Sequence, residues 1–157
     1  MTASTRYVKP KRAASFFNQS VARLTRLGIS VYGSRVLYVR GRKSGEWRSQ
    51  PVNPLTFDGS RYLVAPRGNT QWVRNLRAAG GSGELHLGRR VEAFRATEVA
   101  DDDKPPVLRA YLRHWKWESG VFFDGVDASA PDETLRTMAP GYPVFRIEPT
   151  SPAKAAV

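Results

Sequence analysis

Ser34–Ala65 reads SRVLYVRGRKSGEWRSQPVNPLTFDGSRYLVA, and this stretch decides the fold class. Ser34 to Arg40 is rich in β-formers, Arg48 to Phe57 is extended with two prolines, and Arg61 to Ala65 is β-rich again. Asp58-Gly59 is a hairpin turn signal. The stretch therefore reads strand, loop, strand, turn, strand. Its loop, Gly41-Arg42-Lys43-Ser44-Gly45, with Arg48 and Pro51 behind it, sets cations between two glycines. Glycine allows backbone N–H groups close to a ligand. Arg42, Lys43, Arg48 and the Ser44 hydroxyl are donors suited to phosphate or carboxylate oxygens. Taken alone, the loop fits an exposed basic turn equally well.

Working outward, Ser15 to Leu27 has helical spacing through Phe17, Val21, Leu24 and Gly28. Thr70 to Ala79 reads as a short helix ended by Gly80-Gly81, with Trp72, Leu76 and Ala79 on one side. Glu84–Leu87 and Arg89–Val99 form a second hairpin around Gly88. Pro105 to Trp115 is helical, with Leu108, Tyr111, Leu112 and Trp115 inward; Asp101-Asp102-Asp103 before it suits a helix N-terminus better than a cation site. Pro131–Met138 is a further helix and Pro143–Ile147 a closing strand. About six strands result, with three or four helices that do not alternate regularly with them. That argues against a doubly wound parallel sheet and favours a mainly β, α+β fold built on an antiparallel barrel. The expected organisation is a basic flexible arm over 1–14, one domain over 15–148 and a disordered tail over 149–157.

At 157 residues the chain suits one domain, and zero cysteines exclude disulfides, thiolate ligands and cysteine nucleophiles. No apolar run is long enough to span a bilayer, and Met1–Pro10 lacks a signal-peptide core, so a cytoplasmic protein is expected. Net charge is +11, concentrated at the front: residues 1–50 hold eleven Lys/Arg against Glu46 alone, whereas residues 101–157 hold seven against nine acids. An anionic partner is implied: a nucleic acid, an acidic membrane surface or a polyanionic small ligand. Packing on the domain is the plain role for the first helix, and peripheral membrane contact is the second.

Few residues offer catalysis by themselves. His86 and His114 are the only histidines, there is no G-x-S-x-G elbow, no Walker A and no metal constellation. His86, between Leu85 and Leu87, reads as structural. An enzyme of this composition needs an organic cofactor for its hard chemistry.

Three motifs then act together. Gly41-Arg42-Lys43-Ser44-Gly45-x-x-Arg48-x-x-Pro51, Val64-Ala65-Pro66-Arg67-Gly68 and Gln71-Trp72-Val73-Arg74-Asn75-Leu76-Arg77-Ala78 resemble, in order and spacing, the deazaflavin-dependent nitroreductase family. The likeness covers about Val36 to Val99, with a weaker echo in Pro143–Pro149. It implies a flavin-reductase-like split β-barrel that uses reduced coenzyme F420 and passes a hydride to a quinone, nitroaromatic or conjugated enone. Carried over by position, Arg42, Lys43 and Ser44 would meet the cofactor's phosphate and acidic tail. Arg48, Ser49, Gln50, Pro51, Val52 and Asn53 would run beside the deazaflavin, with Val64, Ala65, Pro66, Arg67, Gln71, Trp72, Val73, Arg74 and Asn75 completing the cleft. A cofactor ending in glutamates also accounts for the basic first third.

The chain departs from the family in two places. Pro66 and Arg67 stand where the family often has serine and lysine. The family's tyrosine-rich substrate wall has no clear counterpart; at that place stand Tyr111, His114, Trp115, Trp117, Phe122 and Phe123. Trp117, Phe122 and Phe123 are candidates to line the acceptor site, and Tyr111 and His114 to deliver a proton. A barrel holding FMN, of the pyridoxamine-phosphate-oxidase-like type, is the alternative enzyme. A basic module that binds nucleic acid or another polyanion through Trp47, Trp72 and Trp115 is the non-enzymatic one. A small-molecule acceptor as partner, with a monomer or homodimer, completes the reading.

Overall fold

The computed structural model describes residues 6–8, 34–116 and 118–150. The helix expected over 15–27, Trp117 and residues 151–157 lie outside the described residues. Seven strands form one antiparallel sheet: β1 Arg35–Arg40, β2 Trp47–Val52, β3 Leu55–Phe57, β4 Ser60–Val64, β5 Ser82–Leu87, β6 Arg90–Glu98 and β7 Val144–Pro149. Their order is β2-β1-β5-β6-β7-β4-β3. The two edge strands are consecutive in sequence, joined by Asn53 and Pro54 alone. Three peptide units reach at most about 11 Å, so the sheet must curl until its edges nearly meet. This is an antiparallel split barrel, open between β2 and β3.

The sheet has seven strands where about six were expected, because Asn53-Pro54 breaks the run Arg48–Phe57 into two. Proline removes a ladder donor and holds the residue before it extended, so the chain leaves one edge and starts the other. Pro51 is tolerated inside β2 because β2 pairs with β1 only, leaving its outer side free of ladder bonds. Between β3 and β4 the turn residues Asp58 and Gly59 have φ of 50° and 77°, as a two-residue hairpin with matching twist requires. At the other end β7 pairs through Pro149 with Phe94, and the Thr150 N–H donates to the Ala93 carbonyl. Pro149, expected to begin the tail, is therefore part of the sheet, and Thr150 is bonded to it.

Helix α1, Gln71–Ala78, closes one side of the barrel. It buries Trp72, Val73 and Leu76 against Leu37, Val39, Leu63, Leu85, Phe94, Phe145 and Ile147 from five strands. It ends as the paired glycines require: Gly80 N–H bonds the Arg77 carbonyl and Gly81 N–H that of Leu76, with φ of 65° and 89°. A second core lies against the sheet's other end. There α2 (Lys104–His114), α3 (Glu118–Phe122) and α4 (Asp132–Met138) pack Leu108, Tyr111, Leu112, Phe123 and Leu135 on Leu55, Val64 and Val144. The acidic run forms a 3-10 turn whose Asp101 bonds the buried Lys104 ammonium at 2.6 Å, and that ammonium also donates to the Ala139 carbonyl. Buried charge is thus paired and fixes the start of α2 on α4's C-terminal end.

Residues 6–8 correct the expected loose arm. Tyr7 bridges Gly68, Val8 N–H donates to the Arg67 carbonyl, and Asn69 N–H donates to the Arg6 carbonyl. The Arg6 guanidinium donates to the carbonyls of Pro66, Gly141 and Phe122 and lies 4.3 Å over the Tyr142 ring. Gly68 permits this approach: a Cβ there would stand 2.2 Å from the Arg6 carbonyl oxygen, and its φ is +84°.

Candidate active site

Six residues, Gly41–Glu46, connect β1 to β2. The connection is closed by Gly41 N–H on the Glu46 carbonyl and Gly45 N–H on the Gly41 carbonyl, at 2.8 and 2.9 Å. Gly45 has φ +73°, the left-handed conformation the turn demands; Gly41 does not need it, but a Cβ there would press on the Ser44 hydroxyl at 3.1 Å. Arg42 is not left to solvent. Its N–H and its guanidinium both donate to Asn75 Oδ1 on α1, at 3.1 and 2.8 Å, and the guanidinium also reaches Gln71 Oε1 at 3.0 Å. Two motifs separated by some thirty residues are thereby clasped together.

Between them is a cleft of about 400 Å³, lined by Leu37 and Val39 of β1, Gly41 to Ser44, Arg48 to Gln50 of β2, and Gln71, Trp72 and Asn75 of α1. Its floor is apolar and its rim basic. Lys43 and Arg48 are exposed and form no ion pair among the described residues, and the N–H groups of Lys43 and Ser44 have no partner there either. Ser44 Oγ accepts from Glu46 N–H at 3.2 Å and still has its hydroxyl hydrogen to offer. The N-terminus of α1 has no side-chain cap and no acidic residue in its first turn, and the Thr70 hydroxyl beside it is buried without a partner among the described residues. These donors and cations suit an anionic group, and the apolar floor suits a ring. Leu37 and Val39 were not singled out in the sequence; their alternation in a β-rich run was the signal available.

The remaining expected residues are distributed differently. Ala65 and Val73 are wholly buried in the barrel core and Val64 in the second core, so only their backbone can face a ligand. Pro51, Val52, Asn53 and Pro66 are half-buried, and Arg74 is exposed, its guanidinium 5.8 Å over the Tyr7 ring. Phe123 is wholly buried, stacked on Tyr142 at 4.4 Å, and is a core residue rather than an acceptor-lining one. His114 is exposed at the end of α2, edge-on to Trp115. His86 stacks on Tyr38 at 4.0 Å and bonds Glu84 at 2.7 Å.

A second group surrounds Arg67, in the turn before α1. Its guanidinium lies 5.3 Å over the half-buried Phe122 ring, and its pKa is lowered by burial against the opposing influence of Tyr7 and Glu118. Glu118, at the start of α3, is 3% exposed. Burial pushes its carboxyl up to about 7, although the hydrogen bond from Tyr111 and the charge of Arg67 pull the other way. Tyr111 is raised well above the ordinary phenol, first by burial and then by the Glu118 charge and hydrogen bond, which removes it as an acid near neutrality. Glu118 went unremarked in the sequence, where a lone glutamate looks like any surface acid.

Among the described residues there is no group of three metal-ligating side chains, and no helix is long and apolar enough to cross a membrane. Solved structures share the architecture. An F420-H2 dependent reductase (FDR-A) aligns with a TM-score of 0.51 at 17% identity, covering 74% of this chain and 94% of its own. A domain-swapped dimer aligns with 0.54 at 16% identity, covering 87% and 99%. A protein of unknown function from Agrobacterium tumefaciens aligns with 0.53 at 17% identity, covering 94% and 60%. Identities this low speak to fold. No curated protein matches in sequence. The decisive match is a family model that spans residues 12–127, taking in the basic loop, α1 and Glu118 alike. The chain belongs to the F420H(2)-dependent quinone reductase family, oxidoreductases that use reduced coenzyme F420.

Proposed function

We propose that the cleft between the β1–β2 loop and α1 holds coenzyme F420 and that the chain reduces an electron-poor small molecule: a quinone, a nitroaromatic or a conjugated enone. The cleft itself carries this reading. It gathers Arg42, Lys43, Ser44, Arg48, Ser49, Gln50, Gln71, Trp72 and Asn75, from two motifs far apart in sequence, around one apolar floor. When bound, the reduced deazaflavin supplies a hydride from its C5. The chain's own work is binding, orientation and exclusion of water.

Lys43 and Arg48, with the N–H groups of Lys43 and Ser44, take the phosphate and glutamate tail, for which exposed cations on a fixed loop are suited. Arg42 is spent differently: bonded to Asn75 and Gln71, it fixes the loop against α1. Leu37, Val39 and Trp72 give the ring an apolar seat, and β2, paired with β1 alone, leaves its outer edge free of ladder bonds. Binding of nucleic acid is disfavoured by the aromatic residues it would need: Trp72 and Trp115 are buried, and the exposed Trp47 is covered by the Arg40 guanidinium at 4.0 Å.

Fluorescence titration of the apo-protein with coenzyme F420 and with FMN tests the assignment. F420 should bind more tightly, and Lys43→Ala should weaken it about 10-fold, the worth of one exposed charge-assisted contact. Preference for FMN would overturn the cofactor, and full affinity in Lys43→Ala would overturn the role of the loop.

A further inference from the structure

A cavity of about 310 Å³ opens between α2, α4 and the end of β3, and it shares no lining residue with the cofactor cleft. We propose that it binds a small aromatic monoanion, of the aryl carboxylate class, with Arg113 taking the carboxylate and Arg136 lying over the ring.

Two helix faces set out the side chains. Pro106, Arg109 and Arg113, three and four residues apart, share one side of α2, and Asp132 and Arg136 share one side of α4. The Lys104 ammonium bonds the Ala139 carbonyl and Arg109 bonds Asp132, so the two helices run antiparallel. Arg136 therefore stands toward the start of α2, where Asp102 lines the cavity, and Arg113 stands toward its end. Arg109, between them, is committed. Its guanidinium donates to the Ala128 carbonyl at 2.5 Å and to Asp132 Oδ1 at 2.6 Å, which fixes the middle of the cavity. Arg113 and Arg136 are exposed and form no ion pair among the described residues. A place in the last turn of its helix accounts for the charge of each, but not for their convergence on one cavity. Residues 101–157 hold seven Lys/Arg against nine acids, yet three of those seven line this site.

Charge and shape then select the ligand. Three guanidiniums against the carboxylates of Asp102 and Asp132 leave one positive charge in excess. A monoanion neutralises it, whereas a polyphosphate or a polyglutamate tail would bring further negative charge against both acids. Asp102 also sets the orientation, because it repels an anionic group from the Arg136 end. The carboxylate is left to Arg113. Phe57, Pro105, Pro106 and Ala110 supply an apolar wall, and a guanidinium stacks well on an aromatic face. The volume is at the lower end of the range for small-molecule sites and suits a ligand of one or two rings.

The test titrates the full chain with 2-naphthoate, and with uncharged 2-naphthamide, while amide chemical shifts are followed by NMR. Naphthoate should bind with a Kd of about 1 mM, as expected of a ligand of its size. The amides of Ala110, Arg113 and Arg136 should move while those of residues 41–44 and Gln71 stay still, and added F420 should not displace it. Naphthamide should bind about 10-fold more weakly. Arg113→Gln should weaken naphthoate binding about 10-fold and Arg136→Gln about 3-fold, whereas Asp102→Asn should strengthen it; F420 affinity should be unchanged in all three. No shifts up to about 10 times the expected Kd, shifts confined to the cleft, or displacement by F420 would overturn the site. Equal binding of naphthamide and naphthoate, or full affinity in Arg113→Gln, would overturn the anionic ligand. Failure of the chain to bind F420 would overturn the cofactor assignment and leave this site standing.

Discussion

Asn75 Oδ1 is shared by two donors of one residue, the backbone N–H and the guanidinium of Arg42, at 3.1 and 2.8 Å. Asn75 is 5% exposed, so its carbonyl has no ready substitute in water. Asn75→Ala would orphan the Arg42 N–H and release the loop from α1. The expected loss is about 1–3 kcal/mol, seen as a fall in Tm of about 2–4 °C per kcal/mol, with several-fold weaker F420 binding. Lys43→Ala should weaken binding with Tm unchanged. Thermal melts alongside titrations separate the brace from the clamp, and equal Tm in Asn75→Ala and wild type would contradict this division.

Salt should act on the clamp and not on the brace. Lys43 and Arg48 are exposed, and the reach of such charges shrinks from about 10 Å at 0.1 M salt to about 3 Å at 1 M. F420 affinity should therefore fall as ionic strength rises, and the fall should be shallower in Arg48→Ala. Parallel salt dependences in the two proteins would place the cofactor's anionic tail elsewhere.

Gly68 and Arg6 make a coupled pair. In Gly68→Ala the new Cβ would meet the Arg6 carbonyl oxygen at 2.2 Å, and backbone atoms cannot yield as a flexible side chain can. A loss of more than about 2 kcal/mol is expected, of which roughly 1 kcal/mol is the left-handed backbone itself. Deleting residues 1–8 removes the clash but not the conformational term. Urea unfolding should show Gly68→Ala costing less in the truncated chain than in the full one; equal costs would mean that residues 6–8 do not press on Gly68 in solution.

What the sequence discloses depends on how local the cause is. Asp58-Gly59 announces its hairpin because both turn residues must take positive φ, and Gly80-Gly81 ends α1 for the same reason. The basic loop and α1 are recognisable as motifs, but their joining through Arg42 and Asn75 is a tertiary contact that no spacing encodes. Asn53-Pro54 was hidden by its setting: two extended runs separated by two residues look like one strand, although they lie on opposite edges of a curled sheet. Arg6 looked like part of a solvated arm because its partners, the carbonyls of Pro66, Gly141 and Phe122, are distant in sequence. Glu118 shows the limit most clearly, since burial of a carboxyl is a property of its surroundings.

That burial makes stability depend on pH in a definite direction. The Glu118 carboxyl rises from 4.5 to about 7 in the folded chain, so the folded state holds a proton that the unfolded state gives up. Its contribution is fully present below about pH 4.5 and is lost as pH rises through about 7, on the order of 3 kcal/mol in all. Other titrating groups are common to wild type and Glu118→Gln and cancel in the difference between them. Urea denaturation at pH 5 and pH 8 should therefore show Glu118→Gln gaining stability relative to wild type as pH rises. If the two proteins keep a constant difference between those pH values, the Glu118 carboxyl is not protonated in the folded chain at neutral pH.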